Sequence, residues 1–440
     1  MLYDTWMKRP ESKKRTDRGL ILCIVVGSLL TSIPYALWLN EAPFSDMKSY
    51  ELIATSLLTG GDYVYLEHWR AYRTPGLTFY LAGIYGIAGL NNYFVVRLVQ
   101  CAMLAVLNVI LFRTGKSIFG RRIAVWGVIL TIFSQEVIFW AAKPATEFLY
   151  TFLLVLYVWI LTNWSLRSGW RRLMLAAFVL GLATLTRPVA GSIAALTVIV
   201  MAFLPLQRPW VSRLTTSALF LVVFSLTLSP WLVRNWLLFD RVILNTNSGH
   251  TLYMANESLA PPGRDYDTVW QEQYDRILGS PEPRAQPLEI EMNDFMSHAA
   301  RGYILDHPGR FLALGVKRLK KMLTERKVYL TQVPWETLSY FGRVDIKLIR
   351  WHPALALVAG FGLVLALLRR PGAHWMILCV IVGTLAVHFA YTAAPRMRVP
   401  LRPFLNMYIC YGIGVAAVWV RSRSKGIRKA FHAPDDCDSP

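Results

Sequence analysis

Asp46 lies a few residues after the first long apolar run, Leu20–Leu39, in the stretch Ser45-Asp46-Met47-Lys48-Ser49-Tyr50. A run of that length can cross a bilayer. The spacing therefore puts a carboxylate at a membrane–water boundary, within reach of a lipid-borne substrate. Other ionisable residues recur near the ends of later apolar runs. They are Arg73 in Arg73-Thr74-Pro75-Gly76, Glu147 in Lys143-Pro144-Ala145-Thr146-Glu147, Arg187 before Pro188, Arg234 before Asn235, and Arg396, Arg398 and Arg402 around Pro400. Ionisable groups at membrane depth are costly, so a functional use is the first expectation. Guanidinium groups suit phosphate by their fork of N–H donors. A phosphate leaving group departs without protonation, so one carboxylate acting as base on an acceptor hydroxyl or amine is sufficient. A lone acid with several arginines thus fits transfer of a group from a lipid-phosphate carrier.

Plainer roles stay open for each residue. Ser45 or Asp46 can cap the helix that follows. Glu147 can serve its own helix N-terminus or pair with Lys143. Arg187 can bond carbonyls freed by Pro188, or snorkel. Arg396, Arg398 and Arg402 can hold headgroup phosphates without specificity. No Walker loop, dinucleotide-binding glycine motif, HExxH or Cys/His metal spacing occurs. Ser45-x-x-Lys48 lacks the companion motif of acyl-transfer enzymes and is a chance match. No all-protein metal site is legible, and a divalent cation shared with a substrate phosphate is left open.

The elements that must position these residues are membrane helices. The 440 residues are 55% hydrophobic, in blocks separated by charged patches. That pattern marks a polytopic membrane protein. Ten spans are expected: Leu20–Leu39, Tyr93–Phe112, Ile123–Ala141, Thr146–Thr162, Leu173–Thr186, Val189–Leu204, Leu214–Trp236, Pro353–Leu368, Trp375–Thr392 and Leu401–Val420. The net charge of +20 falls mostly in short clusters between these runs. Topology explains it better than nucleic-acid binding, and all six basic clusters fall on one side when the N-terminus is cytoplasmic. Leu77–Ala88 is left out of the spans as a juxtamembrane or re-entrant helix, because a full crossing would reverse every later basic cluster. No small-residue cleavage site follows the first run, which is expected to remain as a span. Four of the five Cys lie in apolar runs and no CxxC occurs, so no disulfide framework is expected.

The chain then divides into a basic cytoplasmic N-terminus (1–19), an N-terminal transmembrane catalytic module (20–236) with an external loop at 40–92, an external loop and amphipathic helical region (237–352), C-terminal transmembrane helices (353–420) and a cytoplasmic tail (421–440). Ala260–Pro287, rich in Pro, Gly and charge, reads as loop. Leu312, Val316, Leu319 and Leu323 recur at helical spacing, with Arg310, Lys317, Lys320 and Lys321 elsewhere on that helix. Such a helix suits anionic headgroups or packs on the region's own core.

The ordered series of motifs resembles the integral-membrane GT-C glycosyltransferases, of the family 39 and aminoarabinose-transferase-like group. It comprises Asp46…Tyr50, Arg73-Thr74-Pro75-Gly76-Leu77-Thr78, Phe119-Gly120-Arg121-Arg122, Thr146-Glu147, Thr184-Leu185-Thr186-Arg187-Pro188, Pro230-Trp231-Leu232-Val233-Arg234-Asn235 and Arg396-Met397-Arg398-Val399-Pro400-Leu401-Arg402. The resemblance implies an all-α polytopic GT-C-like bundle that transfers a monosaccharide, with inversion, from a polyprenyl-phosphate donor to a lipid, glycan or protein acceptor on the non-cytoplasmic face. A bacterial inner membrane, with both termini cytoplasmic, is the expected setting. Asp46 matches the catalytic acid of the first external loop. Glu147 is expected to orient a neighbour or the acceptor, and Arg73, Arg187, Arg396, Arg398 and Arg402 to hold the donor phosphate. Met47 stands where protein mannosyltransferases carry a second acid, which weighs against protein mannosylation. A flippase of lipid-linked sugars or a non-catalytic polyprenyl-phosphate binder is the alternative, although no repeated halves with charges at mid-membrane are visible.

Overall fold

The computed structural model describes residues 17–38, 42–66, 68–167, 169–203, 209–279, 287–325 and 351–430. Most of the basic N-terminus, Arg208 and the end of the tail, including Cys437, lie outside the described residues. Among the described residues the chain is all-helical, with no strand. In chain order the α-helices are α1 (Arg18–Trp38), α2 (Asp46–Leu58), α3 (Pro75–Ala88), α4 (Tyr93–Phe119), α5 (Arg121–Ile132), α6 (Gln135–Ala141), α7 (Thr146–Arg167), α8 (Trp170–Thr186), α9 (Ala190–Phe203), α10 (Trp210–Phe239), α11 (Ser248–Asn256), α12 (Tyr266–Gly279), α13 (Leu288–Asp306), α14 (Pro308–Thr324), α15 (Pro353–Arg369), α16 (Pro371–Ala390) and α17 (Arg402–Ala430). A 3₁₀ turn, Pro395–Leu401, precedes α17.

Among the described residues, six helices are long and apolar enough to cross a membrane: α1, α4, α7, α10, α16 and α17, the last counted with the 3₁₀ turn before it. The protein is an integral membrane protein. The expected ten spans exceed this number for identifiable reasons. α9 and α15 are apolar but shorter, and α8 has only 17 residues. Ile123–Ala141 divides into α5 and α6 at Phe133 and Ser134, where Ser134 has extended backbone. α7 is the most enclosed of the six, with 67% of its apolar window buried against 28% for α10. Glu147, in the first turn of α7, therefore starts from the middle of the bundle.

Apolar side chains from α1, α4, α5, α7, α8, α15, α16 and α17 form one continuous core. Without water to satisfy them, polar groups inside it find one another. Asn108 Nδ2 donates to Ser28 Oγ at 3.0 Å, Asn406 Nδ2 donates to Thr131 Oγ1 at 3.0 Å, and the Tyr157 and Thr197 hydroxyls bond at 2.7 Å. Basic turns gather at one end of the bundle, where Asp17 accepts from Lys116 at 2.7 Å and Arg121 at 3.1 Å. The segments carrying Asp46, Arg73, Glu147, Arg187 and Arg396 lie at the other end of the same helices.

Helices α11–α14 cover that end. Leu252, Tyr253, Val269, Leu288, Met292 and Met296 give α11, α12 and α13 a small core of their own, closed by Trp69 from the first loop. Ala260–Pro287 is not the loop its composition suggests, because α12 occupies its middle. Asp265 caps α12 by accepting from the Thr268 amide at 3.0 Å, Trp270 and Tyr274 stack one turn apart at 4.7 Å, and Val269 is fully buried. Local capping and packing outweigh the Pro and Gly at its flanks. In α14 the expected apolar ridge is not the buried one. Leu312 and Val316 are 57% and 63% exposed, whereas Gly315 and Met322 face the protein.

α15 and α17 approach at Gly362. A Cβ there would sit 2.0 Å from the Tyr408 carbonyl oxygen, while one at Gly360 would meet nothing within 4 Å. Gly362→Ala is expected to cost about 1–3 kcal/mol through overpacking. Gly360→Ala is expected to leave stability unchanged or slightly raised, as thermal unfolding of the two variants in one detergent would show.

Candidate active site

The site grows out of four turns at one end of the bundle. The first carries Asp46. Ser45, just before it, has φ 51°, an uncommon conformation for a residue with a side chain, and makes no side-chain cap bond. Asp46 opens α2 with its carboxylate in a cavity of about 540 Å³. The second turn is Arg73-Thr74-Pro75-Gly76. Proline forces Thr74 into extended backbone and starts α3. The Thr74 hydroxyl, spared from capping, donates to the Thr186 carbonyl at 3.1 Å. Gly76 lies so close to Thr186 that a Cβ would be 2.8 Å from its Cα. That contact locks the second turn to the third, where Pro188 ends α8 and leaves Arg187 extended. The fourth is the Pro395–Leu401 turn, which supplies Arg396.

These turns, with Glu147 from the first turn of α7, bring five charged side chains together. Arg73 Nη2 donates to Asp46 Oδ1 at 2.8 Å, and Arg396 Nη2 donates to Asp46 Oδ2 at 3.0 Å. Arg73 Nε also donates to Ser49 Oγ, one turn along α2, at 2.9 Å. Glu147 Oε1 lies 3.2 Å from Arg187 Nη1 and 3.6 Å from Arg396 Nε. All five line the cavity. Glu147 is 4% exposed, whereas Asp46 keeps 39% of its side chain accessible. Burial pushes the Asp46 carboxyl upward, but the charges of Arg73 and Arg396, with their hydrogen bonds, outweigh it and hold it below the usual carboxylate range. Asp46 is therefore ionised at neutral pH. The pairing adds stability that is complete above about pH 4 and lost as pH falls through the lowered value.

Arg398 and Arg402, expected beside these groups, are elsewhere. Both are fully buried on Glu136 of α6. Arg398 pairs with Glu136 through Nη2 and donates to the Met322 carbonyl at 2.8 Å; Arg402 Nε lies 3.5 Å from Glu136 Oε2. Trp351 covers both guanidinium groups, at 5.3 and 4.3 Å. Successive residues of a 3₁₀ turn rotate by about 120°, so Arg396 and Arg398 leave it in different directions. Glu136 is the partner that sequence reasoning missed. Its signal is a lone acid inside the apolar run Ile123–Ala141.

Arg234, also singled out, braces the site from outside the cavity. It donates to the Arg70 carbonyl at 2.9 Å and stacks on Trp231 at 4.6 Å. Lys143 lies over the rings of Phe44 and Phe139. His250 sits among Trp69, Tyr72 and Tyr266, where burial pushes its imidazole down to about 4 and keeps it neutral. Among the described residues, no cluster of three or more His, Cys, Asp or Glu side chains is placed to hold a metal ion.

The two groups of arginines have separable consequences. Arg398→Met leaves the buried Glu136 with only its longer 3.5 Å contact to Arg402 and is expected to cost about 3–5 kcal/mol. Arg396→Met, at the cavity, is expected to leave the thermal unfolding midpoint within a few degrees of wild type. Unfolding midpoints of both variants in one lipid nanodisc would reveal the difference.

Residues 72–233 match the family described as dolichyl-phosphate-mannose-protein mannosyltransferase. No curated protein sequence matches the chain. The oligosaccharyltransferase AglB from Archaeoglobus fulgidus, solved with an inhibitory peptide and a dolichol-phosphate, has a similar fold. Its TM-score is 0.52 at 12% identity, over 97% of this chain and 53% of that one. Its apo form gives 0.52 at 10% identity, over 99% and 54%. The chain thus spans about half the length of AglB. ArnT from Cupriavidus metallidurans, bound to undecaprenyl phosphate, is a looser likeness, with a TM-score of 0.42 at 14% identity over 91% of this chain and 79% of that one. The family match thus covers residues 72–233, and almost the whole chain shares its fold with AglB.

Proposed function

We propose that the protein is an inverting glycosyltransferase that moves a monosaccharide from a polyprenyl-phosphate carrier to an envelope acceptor at the non-cytoplasmic membrane face. The observation that carries this reading is Asp46, held between Arg73 at 2.8 Å and Arg396 at 3.0 Å and open to a cavity. Basic turns at the far end of the bundle support the choice of face. Three guanidinium groups and two carboxylates leave the cavity with one net positive charge, which a single phosphodiester neutralises.

The donor-free arrangement occupies both Asp46 oxygens. A phosphate entering the cavity competes for the N–H groups of Arg73, Arg396 and Arg187, and releases one Asp46 oxygen to face the acceptor. Asp46 then takes the acceptor proton as the acceptor oxygen or nitrogen bonds to the anomeric carbon. The bond from that carbon to the phosphate oxygen breaks, and the carrier leaves as a phosphate monoester. One displacement inverts the anomeric centre. Glu147 keeps Arg187 and Arg396 aimed at the phosphate and takes no proton. The acceptor is a lipid, a glycan or a protein.

Asp46→Asn is expected to lower transfer by about 10²–10⁴-fold while the variant still inserts and folds. Proteoliposomes assayed for both glycosylated product and flipped donor measure it. Near-normal transfer by the variant would remove Asp46 from the mechanism, and donor movement without product would replace the transferase by a flippase. A second expectation concerns pH. Arg396→Gln removes a group that holds the Asp46 carboxyl down, so the acid limb of kcat/KM moves to higher pH. A limb in the wild-type position would mean that Asp46 is not the base.

A further inference from the structure

Asp46 and the arginines occupy only part of the cavity wall. Residues after α10 supply another part, with Asn245, Asn247, Ser248 and Thr251 facing the same space. Every polar group they contribute is uncharged. Asn245 and Asn247 flank Thr246, which is fully buried and points the other way. Among the described residues, neither asparagine amide has a hydrogen-bonding partner. Two amides two residues apart on non-helical backbone are thus presented together to the cavity.

This presentation is built, not incidental. Thr246 donates its hydroxyl to Glu289 Oε2 at 2.8 Å and its amide to the Ala71 carbonyl at 3.0 Å. Glu289, itself fully buried, accepts the Arg70 amide at 2.9 Å and the Ala71 amide at 3.1 Å. One carboxylate of α13 therefore fixes both the backbone leading into Arg73 and the residue between the two asparagines. Gly249 tightens the same junction, donating its amide to Asn293 Oδ1 at 2.7 Å where no Cβ would fit.

A side-chain amide donates and accepts, as each hydroxyl of a sugar ring does. A charged sugar calls for an opposite charge on this wall, and the wall has none. We propose that Asn245 and Asn247 form the glycosyl subsite, binding the ring hydroxyls of an uncharged sugar on the donor, with Glu289 as the positioning residue that keeps this subsite in register with Arg73. The inference rests on the donor-binding reading above and adds the sugar class to it.

Binding to the full chain in nanodiscs tests it with three probes: undecaprenyl phosphate, undecaprenyl-phosphate-linked neutral hexoses, and an amino-sugar-linked carrier. Asn245→Ala/Asn247→Ala is expected to lose about tenfold in affinity for the preferred hexosyl lipid, the effect of two hydrogen bonds. Its affinity for undecaprenyl phosphate is expected to stay within about twofold of wild type. Glu289→Gln, measured on folded protein, is expected to weaken both probes together, which a purely structural defect would not do at constant folded fraction. Wild-type affinity for hexosyl lipids in the double variant would overturn the subsite. So would tighter binding of the amino-sugar carrier than of every hexosyl lipid by wild type. Glu289→Gln with unchanged affinities would overturn its positioning role. Failure of wild type to bind even undecaprenyl phosphate would bring down the donor reading itself.

Discussion

Asp46 and its two guanidinium partners are the interaction on which the rest of the structure depends. A carboxylate beside the membrane is costly unless opposite charge stands against it. Arg73 and Arg396 provide that charge from different parts of the chain, and Glu147 in turn engages Arg396 and Arg187. The network alternates in sign, so no member is buried alone. Its position at the ends of α2, α3, α7 and α8 follows from the same requirement. Helix interiors here are committed largely to apolar packing, and the turns at this end leave charged side chains free to meet around the cavity.

The protein separates two uses of arginine within seven residues. Arg396 faces the cavity and keeps some exposure, whereas Arg398 and Arg402 are sealed under Trp351 on Glu136. A sealed pair with carbonyl partners contributes to a unique packing of α6, α14 and the 3₁₀ turn. An accessible pair can exchange partners with an incoming anion. The distinction is one of burial and not of residue type.

Much of this was legible in the sequence, and the limits are physical. Apolar runs gave most helices, because a span must be long and uncharged. Asp46, Arg73, Glu147, Arg187 and Arg396 stood out as charges beside such runs, and they converge. Arg398 and Arg402 looked the same in one dimension. Only the rotation of a 3₁₀ turn, together with an acid some 260 residues away in sequence, decides where they point. α12 was hidden by a composition that favours turns, since its stability comes from packing on α13. Asn245 and Asn247 carried no signal, because uncharged amides are unremarkable until a cavity faces them.

The separations of 27 positions from Asp46 to Arg73 and 350 from Asp46 to Arg396 bear on what counts as the minimal complete unit. The portion with recognisable relatives, residues 72–233, contains Arg73, Glu147 and Arg187 but neither Asp46 nor Arg396. Excised, it would carry two cations and one acid of this centre, without the Asp46 carboxylate they surround. The chain closes this centre only when its first loop and its last helices have both arrived, so the ion-pair network waits on completion of the whole bundle.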